Sequence, residues 1–170
     1  MSNAEREMSN ARQRGITLIE LLVVIAILSI LATAVMPLSR MTVKRAKEIQ
    51  LRSNLRILRT AIDEFKKDCT EKRLSSDYCL SDQDNYPATL ELLTKPLTLA
   101  GTLAGKSKKY LRQIPRDPMM PLESPENPNN WGLRAYSDEP DSEMWGGGNV
   151  YDVYSMSTGI AIDGSKYSTW

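Results

Sequence analysis

The chain opens with a polar segment and then changes abruptly to an apolar one. From Leu21 to Leu38 nearly every position is apolar. Counted from Ile16, the segment that ends at Leu38 has 23 residues. As a helix it would extend about 34 Å, enough to cross a bilayer core of about 30 Å. The pattern therefore predicts a membrane-embedded helix over residues 16–38.

Beyond Pro37 the pattern becomes that of an amphipathic helix, which we predict to continue over residues 39–67. Its apolar positions recur at spacings of 4, 3, 4 and 3, so they share one face that should bury against a globular head. The charged positions between them are interpreted as a solvated or subunit-facing surface. The apolar positions are Leu51, Leu55, Leu58, Ile62 and Phe65, and the charged ones are Arg52, Arg56, Arg59, Asp63, Glu64 and Lys66.

Pro37 is the weak point of this long helix. It removes a backbone donor and its ring clashes with the preceding turn. A kink or a locally melted segment is therefore expected near Thr33 to Pro37.

Residues 68–170 are predicted to form the globular head. A short helix is expected from Pro87 to Leu93, with Leu90, Leu93 and Leu97 facing inward, and residues 98–109 are interpreted as an exposed loop. Strands are predicted at 131–136, 149–156 and 160–162, which together make a small antiparallel sheet. The fold class is α+β, with a long N-terminal helix packed on this sheet.

Composition narrows the functional classes. With 22 Lys+Arg against 21 Asp+Glu, the net charge is +1, which gives no reason to expect a nucleic-acid partner. The chain has no histidine, so it lacks the commonest general base and the commonest transition-metal ligand. No paired carboxylates stand out in an apolar setting, and we do not expect an enzyme.

The two cysteines, Cys69 and Cys79, are ten positions apart across a polar segment. If this part lies outside the cytoplasm, a disulfide between them would close a small loop and stabilise it by about 2 to 3 kcal/mol. Two free thiols are the alternative. The spacing excludes a CxxC redox motif.

Glu20 lies one turn inside the apolar segment and needs an explanation. A charge well inside the hydrocarbon costs about 2.5 to 3.5 kcal/mol, and such residues usually have a partner or a function. A cleaved signal peptide does not explain the segment, because the apolar run is too long and no small-x-small cleavage site ends it. An ordinary signal anchor explains the length but leaves Glu20 and Gly15 without a role.

Gly15 followed by Ile-Thr-Leu-Ile-Glu, with Glu20 fifth after the glycine, resembles the processing site of type IV pilins and type II secretion pseudopilins. The resemblance implies that a membrane-embedded prepilin peptidase cuts between Gly15 and Ile16 and N-methylates Ile16. Ile16 itself is a departure, because the family usually has Phe or Met there. The family's proline, twenty-second after the cut, is matched by Pro37.

The resemblance also implies roles and a location. Residues 1–15 would be a cleaved leader on the cytoplasmic side of the inner membrane, and the head would be periplasmic. Glu20 would neutralise the N-terminal ammonium of a neighbouring subunit during assembly, and Pro37 would let subunits pack at different axial distances. Partners would be other copies of the chain, the prepilin peptidase, an inner-membrane assembly platform and minor pseudopilins.

A second region carries the same resemblance. The segment Ile114 to Pro121 is similar to the major pseudopilin segment Ile/Leu-Pro-x-Asp-Pro-Trp-Gly-x-Pro, with Met119 and Met120 in place of the tryptophan and glycine. Its three prolines indicate a rigid connector that Asp117 braces through hydrogen bonds to the backbone.

A calcium site is a further implication of the resemblance. In the major pseudopilins a strand like Asp152 to Met156 precedes a calcium-binding loop. Here the Gly-x-Asp-Gly pattern is replaced by Ser157 to Ile160, and Asp163 is the first residue to suspect as a ligand. An Asp-Gly turn is the alternative for Asp163.

The densest carboxylate cluster is interpreted as a solvated loop. It comprises Asp138, Glu139, Asp141 and Glu143.

The resemblance thus implies a structural subunit of a type II secretion pseudopilus, a helical fibre that supports export of folded proteins across the outer membrane. The alternatives are a type IV pilin or minor pilin of a surface fibre used for adhesion, twitching or DNA uptake, and a signal-anchored periplasmic binding domain.

Overall fold

The computed structural model describes residues 15–79, 84–101, 104–121 and 131–170, without the side chains of residues 34–39. One α-helix, α1, runs from Leu18 to Thr70. Four short strands follow: β1 (Leu97–Thr98), β2 (Ser107–Lys108), β3 (Trp131–Arg134) and β4 (Asp152–Ser155). Within the described residues, 3-10 helices also lie at Leu90–Thr94 and Tyr167–Thr169. The long helix and the antiparallel strands confirm the predicted α+β class.

The chain divides into two compact units, and the boundary after Thr42 falls inside α1. Within the described residues, no helical segment combines the length and the apolar character needed to cross a membrane. Residues 34–38 of the predicted membrane helix lie outside the described side chains. The membrane helix over residues 16–38 therefore stays a prediction.

The apolar stripe of α1 forms the centre of the second unit, as its spacing predicts. All five of its side chains are at most 2% exposed. Burial of apolar surface contributes about 25 cal/mol per Å², so burial of this face stabilises the unit. The head residues that share the core include Leu90, Leu93, Leu97, Leu111, Trp131, Val150, Val153 and Tyr167.

The strands form two separate two-stranded antiparallel sheets rather than one sheet of three strands. β1 pairs with β2, so the prediction of a plain loop over residues 98–109 is corrected to a short hairpin. β3 pairs with β4, with Gly132 opposite Tyr154. The tyrosine ring covers this glycine so closely that a Cβ atom there would lie 2.2 Å from its Cζ. The predicted third strand is reduced to an isolated bridge between Ile160 and Lys166.

The proline-rich connector is braced on both sides. Asp117, only 1% exposed, accepts hydrogen bonds from the Met119 N–H at 2.8 Å and the Ser155 hydroxyl at 2.5 Å. The Asn54 amide donates to the carbonyl of Arg116, and the Trp131 indole donates to that of Pro115. The predicted bracing role of Asp117 is confirmed, and α1 itself provides one of the clamps.

Asp68 fastens the end of α1 to the β1–β2 hairpin. Its side chain is 5% exposed, and its Oδ2 accepts hydrogen bonds from Lys108 Nζ and the Tyr110 hydroxyl, both at 2.7 Å. Arg73 lies 3.3 Å from its Oδ1. Burial alone would raise the pKa of Asp68, but these hydrogen bonds and cations outweigh burial and lower the pKa.

This lowered pKa predicts an acid-sensitive contribution to stability. Since the folded-state pKa lies below the unfolded value of about 3.9, the contribution is fully present above that pH and is lost as the pH falls through the folded pKa. The unfolding free energy of the native chain should therefore decrease more steeply below about pH 4 than that of Asp68→Asn. Urea unfolding at several pH values measures both slopes. Asp141→Asn, which removes an exposed carboxylate, is the control, and its unfolding free energy should change with pH as that of the native chain does. Equal pH dependence for the native chain and Asp68→Asn would contradict the assigned role of Asp68.

Candidate processing and assembly site

The start of α1 is defined by Thr17. Its hydroxyl oxygen accepts a hydrogen bond from the Glu20 N–H at 3.2 Å, and its carbonyl accepts one from the Leu21 N–H at 3.1 Å. The Thr17 hydroxyl thus satisfies one of the free donors at the first turn, and its carbonyl accepts the first intrahelical hydrogen bond. The spacing Thr-x-x-Glu is the sequence signal of a capping box, and it could have located this helix start in advance.

The residues predicted to flank the cleavage point lie outside the helix. Gly15 and Ile16 both precede Leu18, the first helical residue. Gly15 is exposed and has no atom within 4 Å of the position that a Cβ would occupy, and Ile16 is 76% exposed. In the described part of the chain, nothing shields the bond between them.

The first unit presents an apolar surface on all sides of the helix. Its large aliphatic side chains are 46% to 78% exposed and form no stripe. A contiguous exposed apolar surface of this kind marks a site that a membrane or another protein covers. The residues are Ile16, Leu18, Ile19, Leu21, Leu22, Val23, Val24, Ile25, Ile27, Leu28, Ile30 and Leu31.

Glu20 is the one acidic residue in the first turn of α1. Within the described residues, its carboxylate makes no hydrogen bond or ion pair with another side chain. The positive end of the helix dipole stabilises a negative charge there, although by only about 0.3 to 1 kcal/mol. Any apolar covering of this surface would therefore leave Glu20 in need of a cation.

The polar side chains further along the same surface are satisfied internally. The hydroxyl of Ser29 donates to the carbonyl of Ile25 at 2.8 Å, and that of Thr33 donates to Ile30 at 2.7 Å. These bonds remove the cost of burying the two hydroxyls in an apolar environment. The helix assignment is continuous through Pro37, but its side chain lies outside the described residues. The locally melted segment expected near Thr33 to Pro37 is therefore not present, because these residues are helical. The predicted kink and assembly role of Pro37 stay predictions.

Cys69 and Cys79 are joined by a disulfide, with 5.4 Å between their Cα atoms. The bond connects the last turn of α1 to the loop that follows it. It lies in the second unit and takes no part in the N-terminal site.

Asp163 lies in a tight turn near the C-terminal end. Its Oδ1 accepts hydrogen bonds from the backbone N–H and the hydroxyl of Ser165, at 2.9 and 2.6 Å, and its Oδ2 is 3.2 Å from Arg52. The Ser165 hydrogen bonds, with a smaller effect of Arg52, lower the pKa of Asp163. Across the residues that the structure describes, no three His, Cys, Asp or Glu side chains gather where they could hold a metal ion.

The structure contains several polar contacts between α1 and the head that the sequence did not predict. Arg59, interpreted above as part of a solvated or subunit-facing surface, instead contacts the head: it binds Asp152 at 2.7 Å and the carbonyl of Trp170 at 2.7 Å. Glu48 is buried against the Tyr167 hydroxyl. No local pattern signals these pairs, because their members are 93 to 119 positions apart in the chain.

Comparison with known proteins finds a family motif in the N-terminal region of the chain. The prokaryotic N-terminal methylation motif matches residues 10–36, which include Gly15, Ile16 and Glu20. The chain is 31% identical over 138 residues to the type II secretion system core protein G of Pectobacterium carotovorum subsp. carotovorum, covering 78% of this chain and 80% of that protein. The protein of the same name from Escherichia coli K12 is 32% identical over 140 residues, covering 78% and 86%.

The protein of that name from Aeromonas hydrophila is 30% identical over 115 residues, covering 65% of this chain and 71% of that protein. No solved structure matches the chain. Matches over 138 and 140 residues extend well beyond the apolar helix, so they do not depend on that helix alone. This chain therefore belongs to the family of type II secretion system core protein G, the major pseudopilins.

Proposed function

We propose that this protein is a structural subunit of a type II secretion pseudopilus, a helical fibre that supports the export of folded proteins across the outer membrane. The observation that carries the proposal is the methylation motif over residues 10–36 followed by a helix that is apolar on every side. The relatives described above are all named as secretion proteins, which favours secretion over a surface pilus.

The same proposal includes a precursor stage. The precursor is anchored in the inner membrane by residues 16–38, with its leader in the cytoplasm and its head in the periplasm. A prepilin peptidase then cuts between Gly15 and Ile16 and methylates Ile16. The exposed, non-helical position of these two residues supports such access. The disulfide between Cys69 and Cys79 also suits an oxidising compartment such as the periplasm.

Assembly follows from the chemistry that cleavage creates. The new amine of Ile16 has a reference pKa of about 7.7 to 8.0, so it is largely cationic at pH 7. When the apolar helices of neighbouring copies pack against one another, both that amine and the Glu20 carboxylate are desolvated. Pairing the two offsets the cost of desolvating each of them. Other copies of the chain, minor pseudopilins and an inner-membrane assembly platform are the proposed partners.

The processing step predicts a defined N-terminus. In a host that has the peptidase, the mature protein should begin at Ile16 and carry one added methyl group on its amine. Intact-mass and peptide mass spectrometry of membrane-extracted protein measures both features. In a host without the peptidase the leader should remain, which provides the control. An unprocessed chain in the competent host would reject the pseudopilin proposal and favour a signal-anchored domain.

The ion pair predicts a selective assembly defect. In Glu20→Leu the protein should still reach the membrane fraction, because the substitution makes the helix more apolar. Its content in sheared fibres should decrease by about tenfold or more, since a buried amine without a partner costs several kcal/mol. The matched control is Ile19→Leu, at the neighbouring exposed position, which should assemble normally. If Glu20→Leu and the control are incorporated into fibres equally, the proposed ion pair between Glu20 and the Ile16 amine is rejected.

A further inference from the structure

The C-terminal loop after β4 is fastened to α1 by a buried carboxylate. Glu48 Oε1 accepts hydrogen bonds from the Ile162 N–H at 2.9 Å and the Tyr167 hydroxyl at 2.8 Å. Glu48 is 8% exposed and Tyr167 is 3% exposed. Burial, together with the hydrogen bond to Glu48, raises the pKa of Tyr167 to about 12, so the phenol remains a donor at neutral pH.

A second contact, one turn further along α1, holds the tip of the loop. Arg52 NH2 lies 3.2 Å from Asp163 Oδ2, and its guanidinium carbon lies 4.1 Å from the centre of the Trp170 ring. The Trp170 indole donates to the Ser165 hydroxyl oxygen at 2.7 Å, and that hydroxyl donates to Asp163. Arg52, Asp163, Ser165 and Trp170 therefore form one connected group, which we call the arginine clasp.

The clasp residues do not fit a calcium ion. Calcium takes six to eight oxygen ligands, commonly with several carboxylates. The turn supplies one carboxylate, that of Asp163. The N–H groups of Ile162 and Ser165 donate hydrogen bonds to carboxylate oxygens. A calcium site would instead direct oxygen atoms towards the ion. The Glu48 Oε1 atom on α1 already accepts two hydrogen bonds, from the Ile162 N–H and the Tyr167 hydroxyl. The Arg52 cation lies 3.2 Å from Asp163 Oδ2 and would repel a calcium ion bound at that carboxylate.

We propose that Arg52 takes the place of a divalent cation in closing the turn at Asp163, so that the C-terminal loop of this protein folds without calcium. A guanidinium supplies the same sign of charge to the carboxylate and also stacks on the indole, which a metal ion does not do. The buried contact of Glu48 provides the stronger anchor, and the exposed clasp aligns the tip of the loop. This inference concerns the folding of the head and does not depend on fibre assembly.

The test compares the thermal stability of the full-length chain in detergent with and without calcium. Near-ultraviolet circular dichroism reports on Trp131, Trp145 and Trp170, all of which lie in the head. The Tm of the native chain should be the same within about 1 °C in excess EGTA and in millimolar CaCl₂, because saturating a real site would raise it by several degrees. A calcium-induced increase of several degrees that disappears in Asp163→Asn would overturn the proposal.

Arg52→Met tests the other half of the proposal. It keeps an unbranched side chain but removes the ion pair and the stacked cation, and it should lower the Tm by about 3 °C in both buffers. The matched control is Arg56→Met, one turn further along the same exposed helix face, where no hydrogen bond or ion pair within the described residues is lost. Equal Tm values for the two variants would show that Arg52 does not close the loop.

Discussion

Burial of one face of α1 beneath the head is the interaction on which the rest of the second unit depends. The five stripe residues from Leu51 to Phe65 occupy the centre of the core, and each part of the head attaches to a different point of the same helix. Asn54 holds the proline-rich connector, and Asp68 holds the β1–β2 hairpin. Glu48 and Arg52 hold the C-terminal loop. The strands have only two to four residues, so they form few hydrogen bonds with one another. The position of the head segments therefore depends mainly on their contacts with α1.

The first unit poses the opposite physical problem. Its helix is apolar all round, and the single chain provides nothing to cover that surface in the described residues. Burial of that surface therefore needs an apolar covering from outside the described chain, and under the proposed function this covering is first lipid and then other copies. Glu20 would make that burial unfavourable unless a cation accompanies it, and the proposed cleavage after Gly15 would create such a cation. The proposed processing and the proposed assembly therefore both depend on this apolar helix and its carboxylate.

Local signals in the sequence were sufficient for much of this fold. The apolar residues from Leu51 to Phe65 recur with the period of a helix. Gly15, Glu20 and the apolar run that follows them form one contiguous motif. Both patterns can therefore be recognised without tertiary information. The β1–β2 hairpin was missed because strands of two residues have no measurable alternation. The predicted strand at 160–162 failed because the turn at Asp163 and Gly164 reverses the chain immediately after it. Contacts such as that of Glu48 with Tyr167 join distant residues, and no local pattern can specify them.

We propose that Glu20 of one subunit meets the amine of Ile16 of a neighbouring copy in a fibre built from packed apolar helices. Electron cryomicroscopy of the native fibre, at a resolution that shows side chains, tests this directly. We expect an Ile16 nitrogen within about 4 Å of a Glu20 carboxylate oxygen of a neighbouring copy, with the residues from Ile16 to Leu31 buried in the fibre core. A fibre held together by its heads, with these helices outside the core and Glu20 facing solvent, would contradict it.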